Sequence, residues 1–153
     1  MIGLTVDQAK GLFFDRDAVL SATNRAERNV FRTFGGTVRK IARRSIKKRK
    51  KASAPGQPPS SHVGLLKDKL FFMYEPVQHS VVIGPIRLRT RLTPEGKTVP
   101  QVLEEGGKQS LLFWNGRRFD RRPIEIAPRP YMKRAFDIAL PEVPDMWRDS
   151  VRP

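Results

Sequence analysis

All 13 prolines of this chain lie at or after Pro55. Proline lacks a backbone N–H and breaks helix interiors, so only the first third is free to form a long uninterrupted helix. The remainder must be built from strands, turns and short helices. The apolar spacing agrees. Val30, Phe34, Val38, Ile41 and Ser45 step by four, four, three and four, with Phe31 and Ala42 beside them. At 100° per residue these side chains share one arc of roughly 120°. Arg39, Lys40, Arg43, Arg44 and Lys47 fill the opposite arc. The spacing predicts an amphipathic helix over about 15–51, roughly 55 Å long if continuous. Asp15 is its predicted N-cap, and Asp15 and Asp17 suit the positive end of the helix dipole. Gly35-Gly36 lies mid-way, and two glycines cost roughly 2 kcal/mol against alanine, so a kink or break is predicted there.

Charge divides the chain at the same place. Residues 1–51 carry 14 basic and 4 acidic side chains, and residues 52–153 carry 16 and 11, which together make the net +15. Nine of the cations fall within 39–51 with no acidic residue among them. Such a block repels itself unless an anion neutralises it, and nucleic acid is the commonest neutralising partner. Aromatic residues do not interleave with the tract in sequence, so it predicts no stacking platform for single strands. The alternative reading of the tract is a solvated helix face.

Residues 1–14 read as an N-terminal arm ahead of a single α+β domain, 15–153. Residues 52–63 form a Pro/Ser/Gly loop, because Pro55-Gly56 and Pro58-Pro59 exclude regular helix. Leu70–Tyr74 and the β-branched Ser80–Gly84 read as an antiparallel pair. Residues 85–97, with Pro85, Pro94 and Gly96, read as an extended or disordered loop. Val99–Glu105 reads as a short helix with Pro100 in its first turn and Gly106-Gly107 as its stop. Asn115-Gly116 between two apolar-rich runs predicts a hairpin from Ser110–Trp114 and Phe119–Ile126. A last helix is expected from Tyr131 to Ala139, with Met132, Ala135, Phe136 and Ala139 as its apolar stripe. Pro141 and Pro144 are expected to end it, with Met146-Trp147 docking as a final turn. The predicted fold class is therefore α+β: a long N-terminal amphipathic helix, a small mainly antiparallel sheet and a C-terminal helix.

The same residues exclude much chemistry. With no cysteine there is no disulfide, thiolate catalysis or iron–sulfur cluster. His62 and His79 are too few for a His-rich metal site, and each reads as a polar loop residue. Gly96-Lys97-Thr98 ends like a phosphate loop, but Arg91 stands where that motif needs glycine. Glu95 with Asp68 is a poor nuclease core, and Glu104-Glu105 point apart on a short helix and read as solvated. Phe13-Phe14, Phe71-Phe72, Trp114 and Trp147 read as core. No apolar run approaches the roughly 20 residues of a membrane span, and the N-terminus lacks the basic and apolar regions of a signal peptide. The expectation is a soluble protein made in the cytoplasm, with no catalysis, no cofactor, no metal and no small-molecule substrate.

Several segments recur in a familiar order. They are Ala42-Arg43-Arg44-Ser45-Ile46-Lys47-Lys48, then Ser53-Ala54-Pro55-Gly56-Gln57-Pro58-Pro59, then Val63-Gly64-Leu65-Leu66. Val82-Ile83-Gly84-Pro85, Val102-Leu103-Glu104-Glu105-Gly106-Gly107 and Ala127-Pro128-Arg129-Pro130-Tyr131-Met132 follow. The ordered set, over roughly 39–140, resembles the tail-completion and head–tail joining (neck, minor tail) proteins of long-tailed bacteriophages. Val63, where the family carries Thr, and a long charged insert from Arg87 to Thr98 depart from its pattern. The resemblance implies a structural virion protein without catalysis. It would be a homo-oligomeric ring, six-fold, joining the head connector to the tail, assembled in the host cytoplasm and lining the DNA path. The partners implied are neighbouring connector and tail proteins and, non-specifically, phage DNA. Arg39, Lys40, Arg43, Arg44, Lys47 and Lys48 would face DNA or an acidic neighbouring ring. Pro55, Gly56, Pro58, Pro59, Arg129, Pro130 and Tyr131 would be assembly contacts or the turns that position them. The rival expectation is a basic RNA- or DNA-binding protein of ribosomal or chromatin type, supported by composition alone.

Overall fold

The computed structural model describes residues 15–86 and 97–151. The expected arm, 1–14, and most of the expected loop 85–97, with Glu95, lie outside the described residues. The fold is α+β, and one helix, α1 (Arg16–Ser45), organises it. Asp15 caps that helix, its Oδ1 accepting from the Ala18 N–H at 3.0 Å, and Asp17 sits in the first turn. Ala22, Ala26, Val30, Phe34, Val38 and Ala42 are buried in unbroken steps of four. Each such step drifts by about 40°, so the stripe winds roughly 200° around α1 along its length. One uninterrupted helix thereby meets both hairpin β3–β4 and the C-terminal helices.

The helix is not interrupted at Gly35-Gly36, contrary to expectation. Gly35 is instead a point of close approach. A Cβ there would lie 2.7 Å from Phe72 Cδ2 and 2.9 Å from Val81 Cγ2, both on the hairpin packed against the helix. The glycine's helix-propensity cost is accepted because it lets a sheet lie flush on the helix. The helix also ends earlier than predicted, at Ser45. Arg43 and Arg44 occupy the last turn, where cations suit the dipole. Continuing through Lys47–Lys51 would stack like charges at i, i+4. Ile46 turns into extended geometry with its side chain fully buried. The chain then forms β1 (Lys47–Lys48), paired in parallel with β2 (Ser60–Ser61) across the proline loop.

A single helical turn, α2 (Leu65–Asp68), follows Gly64, whose φ of 88° is left-handed. Strands β3 (Leu70–Glu75) and β4 (Ser80–Pro85) form the expected antiparallel hairpin, in register from Leu70↔Pro85 to Glu75↔Ser80. Glu27 of α1 holds its far end, accepting from the Tyr74 hydroxyl at 2.9 Å and meeting His79 Nδ1 at 2.9–3.0 Å. His79 is thus a tie to the long helix rather than a plain turn residue.

Helix α3 (Val99–Glu105) has Pro100 in its first turn and stops at Gly106, as expected. A Cβ on Gly106, whose φ is 77°, would come within 2.9 Å of the Ile126 carbonyl oxygen and of Pro128. The second hairpin pairs β5 (Gly107–Trp114) with β6 (Phe119–Ile126). Its turn is built by Asn115, whose Oδ1 accepts from the N–H groups of Arg117 and Arg118, both at 2.9 Å. Helix α4 (Met132–Ala139) runs on into a 3-10 turn, Leu140–Glu142, and then α5 (Val143–Arg148). Pro141 and Pro144 therefore open new turns instead of ending the helical run, because a first-turn residue needs no N–H partner. Met146-Trp147 docks as expected. Met146 is packed on the core, and Trp147 meets Phe31 edge-on at 6.4 Å.

The core joins Phe34, Val38, Ala42 and Ile46 to Leu66, Leu70, Tyr131, Ala135 and Ala139. Not every aromatic expected in the core is there. Phe71 is 46% exposed and Trp114 59%. The two glycines of α1 give a direct test. Replacing Gly35 with Ala should destabilise the fold by about 1–3 kcal/mol, because the added methyl overpacks against Phe72 and Val81. Gly36→Ala meets only Phe72 carbons at 3.9 Å and should stabilise by about 0.5–1 kcal/mol. Urea unfolding of the two variants checks the opposite signs.

Candidate nucleic-acid interface

The basic tract does not stay on one helix. Arg39, Lys40, Arg43 and Arg44 ride on α1, Lys47 and Lys48 on β1, and Arg49–Lys51 on the turn beyond. Their side chains divide further. Arg39 is drawn inward, its Nε donating to the Leu70 carbonyl at 2.6 Å and its guanidinium lying 5.7 Å from the Phe71 ring centre. It fastens β3 to α1. Arg43 leans to Asp68 at 3.7 Å and is about one third exposed. Lys40, Arg44, Lys47 and Lys48 are exposed and form no ion pair among the described residues. Four of the six predicted contact cations are thus wholly available to a partner, and Arg43 is partly so.

The residues expected to position assembly contacts come together from two distant segments. The Gly56 N–H donates to the Pro128 carbonyl at 2.9 Å, and Arg129 Nε donates to the Ser53 carbonyl at 3.2 Å. The Arg129 N–H donates to the Leu103 carbonyl at 2.7 Å. Pro59 and Tyr131 are fully buried, Pro58 and Pro130 are half-buried, and Pro55 and Gly56 are exposed. The proline loop and the start of α4 therefore brace each other, and Tyr131 belongs to the core.

Glu104 was expected to be a solvated carboxylate, and it is the cap of α4. Its Oε2 accepts from the N–H groups of Tyr131 and Met132 at 3.0 and 3.1 Å, and its Oε1 from that of Lys133 at 2.8 Å. The N-cap residue itself, Tyr131, offers no side-chain oxygen to the helix. A carboxylate borrowed from α3 satisfies the orphan donors and sits at the positive end of the dipole. The spacing of 27–29 residues between partners hid this from pattern reading.

Between the end of α1, the proline loop and α4 lies a groove of about 430 Å³. Ile41, Pro58 and Tyr131 contribute to its walls, and Lys47, Arg49 and Arg134 bring cations to it. Ser53 also lines it, with a buried Oγ that has no hydrogen-bond partner among the described residues. Such a groove can take an anion carried on an apolar or sugar-like body. Arg134 was missed because it lies far from the tract in sequence. No group of three or more His, Asp or Glu side chains able to hold a metal occurs among the described residues. No described helix is long and apolar enough to cross a membrane.

Aromatic rings do meet cations here, although the sequence does not interleave them. Arg28 lies 5.9 Å from the Tyr74 ring centre and Arg122 5.7 Å from that of Phe113, in addition to Arg39 on Phe71. Only the Arg39 pair belongs to the tract, and the other two lie outside it. No family model, curated protein or solved structure matches this chain.

Two outcomes follow from this bracing. Glu104→Ala should destabilise the fold by about 1–2 kcal/mol, the cost of removing a charged helix cap from donors that are part-buried at Tyr131 and Met132 and exposed at Lys133. Thermal unfolding monitored by circular dichroism checks it, and Glu105→Ala on the exposed side should change little. Burial, with the Glu104 carboxylate adding to it, pushes the Tyr131 phenol far above its usual range. A phenol raised in the folded state contributes fully below its unfolded value near 10 and loses that contribution as pH rises past it. Stability should therefore fall above about pH 10, and the fall should be shallower in Tyr131→Phe.

Proposed function

We propose that this chain is a structural subunit of a phage neck, a tail-completion or head–tail joining ring that passes DNA without acting on it. One observation carries the reading. Exposed, unpaired cations are concentrated where α1 ends and β1 begins, and the proline loop and α4 hold that region rigidly. Fixed cations of this kind bind backbone phosphate without reading bases, which suits a duplex that must slide past. The order of segments resembling tail-completion proteins supports the same reading, as does the α+β architecture with a leading helix. The ring, its six-fold number, its connector and tail neighbours and its place in the virion belong to the proposal. A basic RNA- or DNA-binding protein of another kind is the competing reading, and it predicts tight binding by a monomer.

Images of particles carrying a tag on this chain test the proposal, together with native mass spectrometry of the purified protein. A ring at the head–tail junction is expected. A chain that stays monomeric, binds RNA tightly and never enters particles would refute it. Replacing Arg43, Arg44, Lys47 and Lys48 together with Gln should leave the fold intact and weaken DNA binding. The slope of log K against log salt should shrink by about 3–4, close to one counterion per lost contact. An unchanged salt slope would remove this face from the DNA path.

A further inference from the structure

Hairpin β5–β6 stands away from the rest of the fold. It is anchored at its base by Gly106 and Arg129, and among the described residues no element beyond its own ladder makes more than marginal contact with it. Eight residues per strand carry it about 27 Å outward. Two-stranded hairpins are marginal in water unless something covers them. This one also carries an aromatic tip. Trp114 and Phe119 are 59% and 65% exposed, with ring centres 5.0 Å apart. Around them Arg117, Arg118, Arg121 and Arg122 are all exposed. Residues 107–126 hold five cations against two carboxylates, Asp120 and Glu125, for a net +3.

The complementary surface is on the same chain. Residues 137–149 hold Asp137, Glu142, Asp145 and Asp149 against Arg148 alone, for a net −3. Phe136 and Leu140, one turn apart on the same face, are 42% and 48% exposed beside Asp137. Asp137 and Asp145 are engaged only in exposed helical pairs with Lys133 and Arg148, and such pairs are worth little. In a chain of net +15, two copies repel each other except where patches of opposite sign meet.

We propose that hairpin β5–β6 of one copy docks on the α4–α5 corner of a second copy. Trp114 and Phe119 cover Phe136 and Leu140, and the hairpin arginines face Asp137, Glu142 and Asp145. Donor and acceptor are different surfaces, so the contact is head-to-tail and each copy keeps one free hairpin and one free corner until a ring closes. This deepens the assembly reading above and rests on it.

Charge-swap variants of the full chain test it. Arg121→Glu with Arg122→Glu gives an acidic hairpin against an acidic corner. Glu142→Arg with Asp145→Arg gives a basic hairpin against a basic corner. All four positions are exposed, and circular dichroism verifies that both variants fold. Each variant alone should associate at least about tenfold more weakly than the parent in sedimentation velocity. An equimolar mixture should recover association, because each hairpin now meets a corner of opposite sign. The cysteine-free sequence allows a second measurement for weak contacts. Phe119→Cys mixed with Leu140→Cys under oxidising conditions should give a disulfide-linked heterodimer in excess of either homodimer.

Variants that assemble like the parent would overturn the contact, while a ring in the particle images would leave the neck reading standing. A mixture that fails to recover, or an absent heterodimer, would overturn it as well. If the acidic hairpin leaves association unchanged and lowers DNA affinity, the hairpin is a nucleic-acid arm and the docking proposal is wrong.

Discussion

The apolar stripe of α1 is the constraint on which everything else depends. From Ala22 to Ala42 it buries one small or medium side chain per turn, and Ile46 continues it past the helix end. Because steps of four overshoot the helical repeat, the stripe turns as it advances. Around it α1 meets α5 at Phe31, the β3–β4 hairpin from Glu27 to Arg39 and α4 at Phe34. A strict 3.5-residue stripe would have met one partner along its whole length. The alanines are as fully buried as the larger residues, Ala26 and Ala42 being almost wholly covered, and Gly35 lets Phe72 approach closely.

Polar groups then fix what the stripe brings near. Arg39 ties β3 to α1 through the Leu70 carbonyl, Glu27 ties the other end of the hairpin, and Glu104 ties α3 to α4. Each joins two elements that the core alone would leave free to rotate. Each uses a charged side chain that also has some solvent contact, so the desolvation cost is smaller than for a fully buried ion. The Gly56, Ser53 and Arg129 contacts do the same for the proline loop. With loop and helix braced, the cations after Ser45 are presented from a fixed backbone.

The local elements were largely legible in the sequence. Periodicity marked α1, β-branched runs marked β3 and β4, and Asn115-Gly116 marked the second hairpin, because each is decided by residues close in sequence. What was hidden depends on pairs far apart. The role of Gly35 is set by Phe72 and Val81, so propensity alone suggested a kink. Glu104 looked solvated because its three donors lie 27–29 residues on. The end of α1 was misplaced because periodicity continues through Ile46, whereas like-charge repulsion and a buried turn stop the helix there. Of the candidate surface, the cations were visible in sequence. That Arg39 is spent on β3, and that Arg134 joins Lys47 and Arg49 across a groove, required the fold.

The distribution of charge also explains why so basic a chain can be compact. Nine cations within 39–51 would strain any single element, and the fold divides them among a helix, a strand and a turn that diverge. Only the pair in the last helical turn gains from the dipole. The remaining repulsion is relieved by exposure to water and salt, since charges a Debye length apart are largely screened. It is not cancelled by internal ion pairs, for Arg43 with Asp68 is the one such pair the tract forms among the described residues, and a loose one. A fold that needed these charges for its own stability would have paired them. Left unpaired on a braced surface, they would gain free energy on neutralisation, and an anion that bound them should stabilise the folded chain in proportion to its differential affinity.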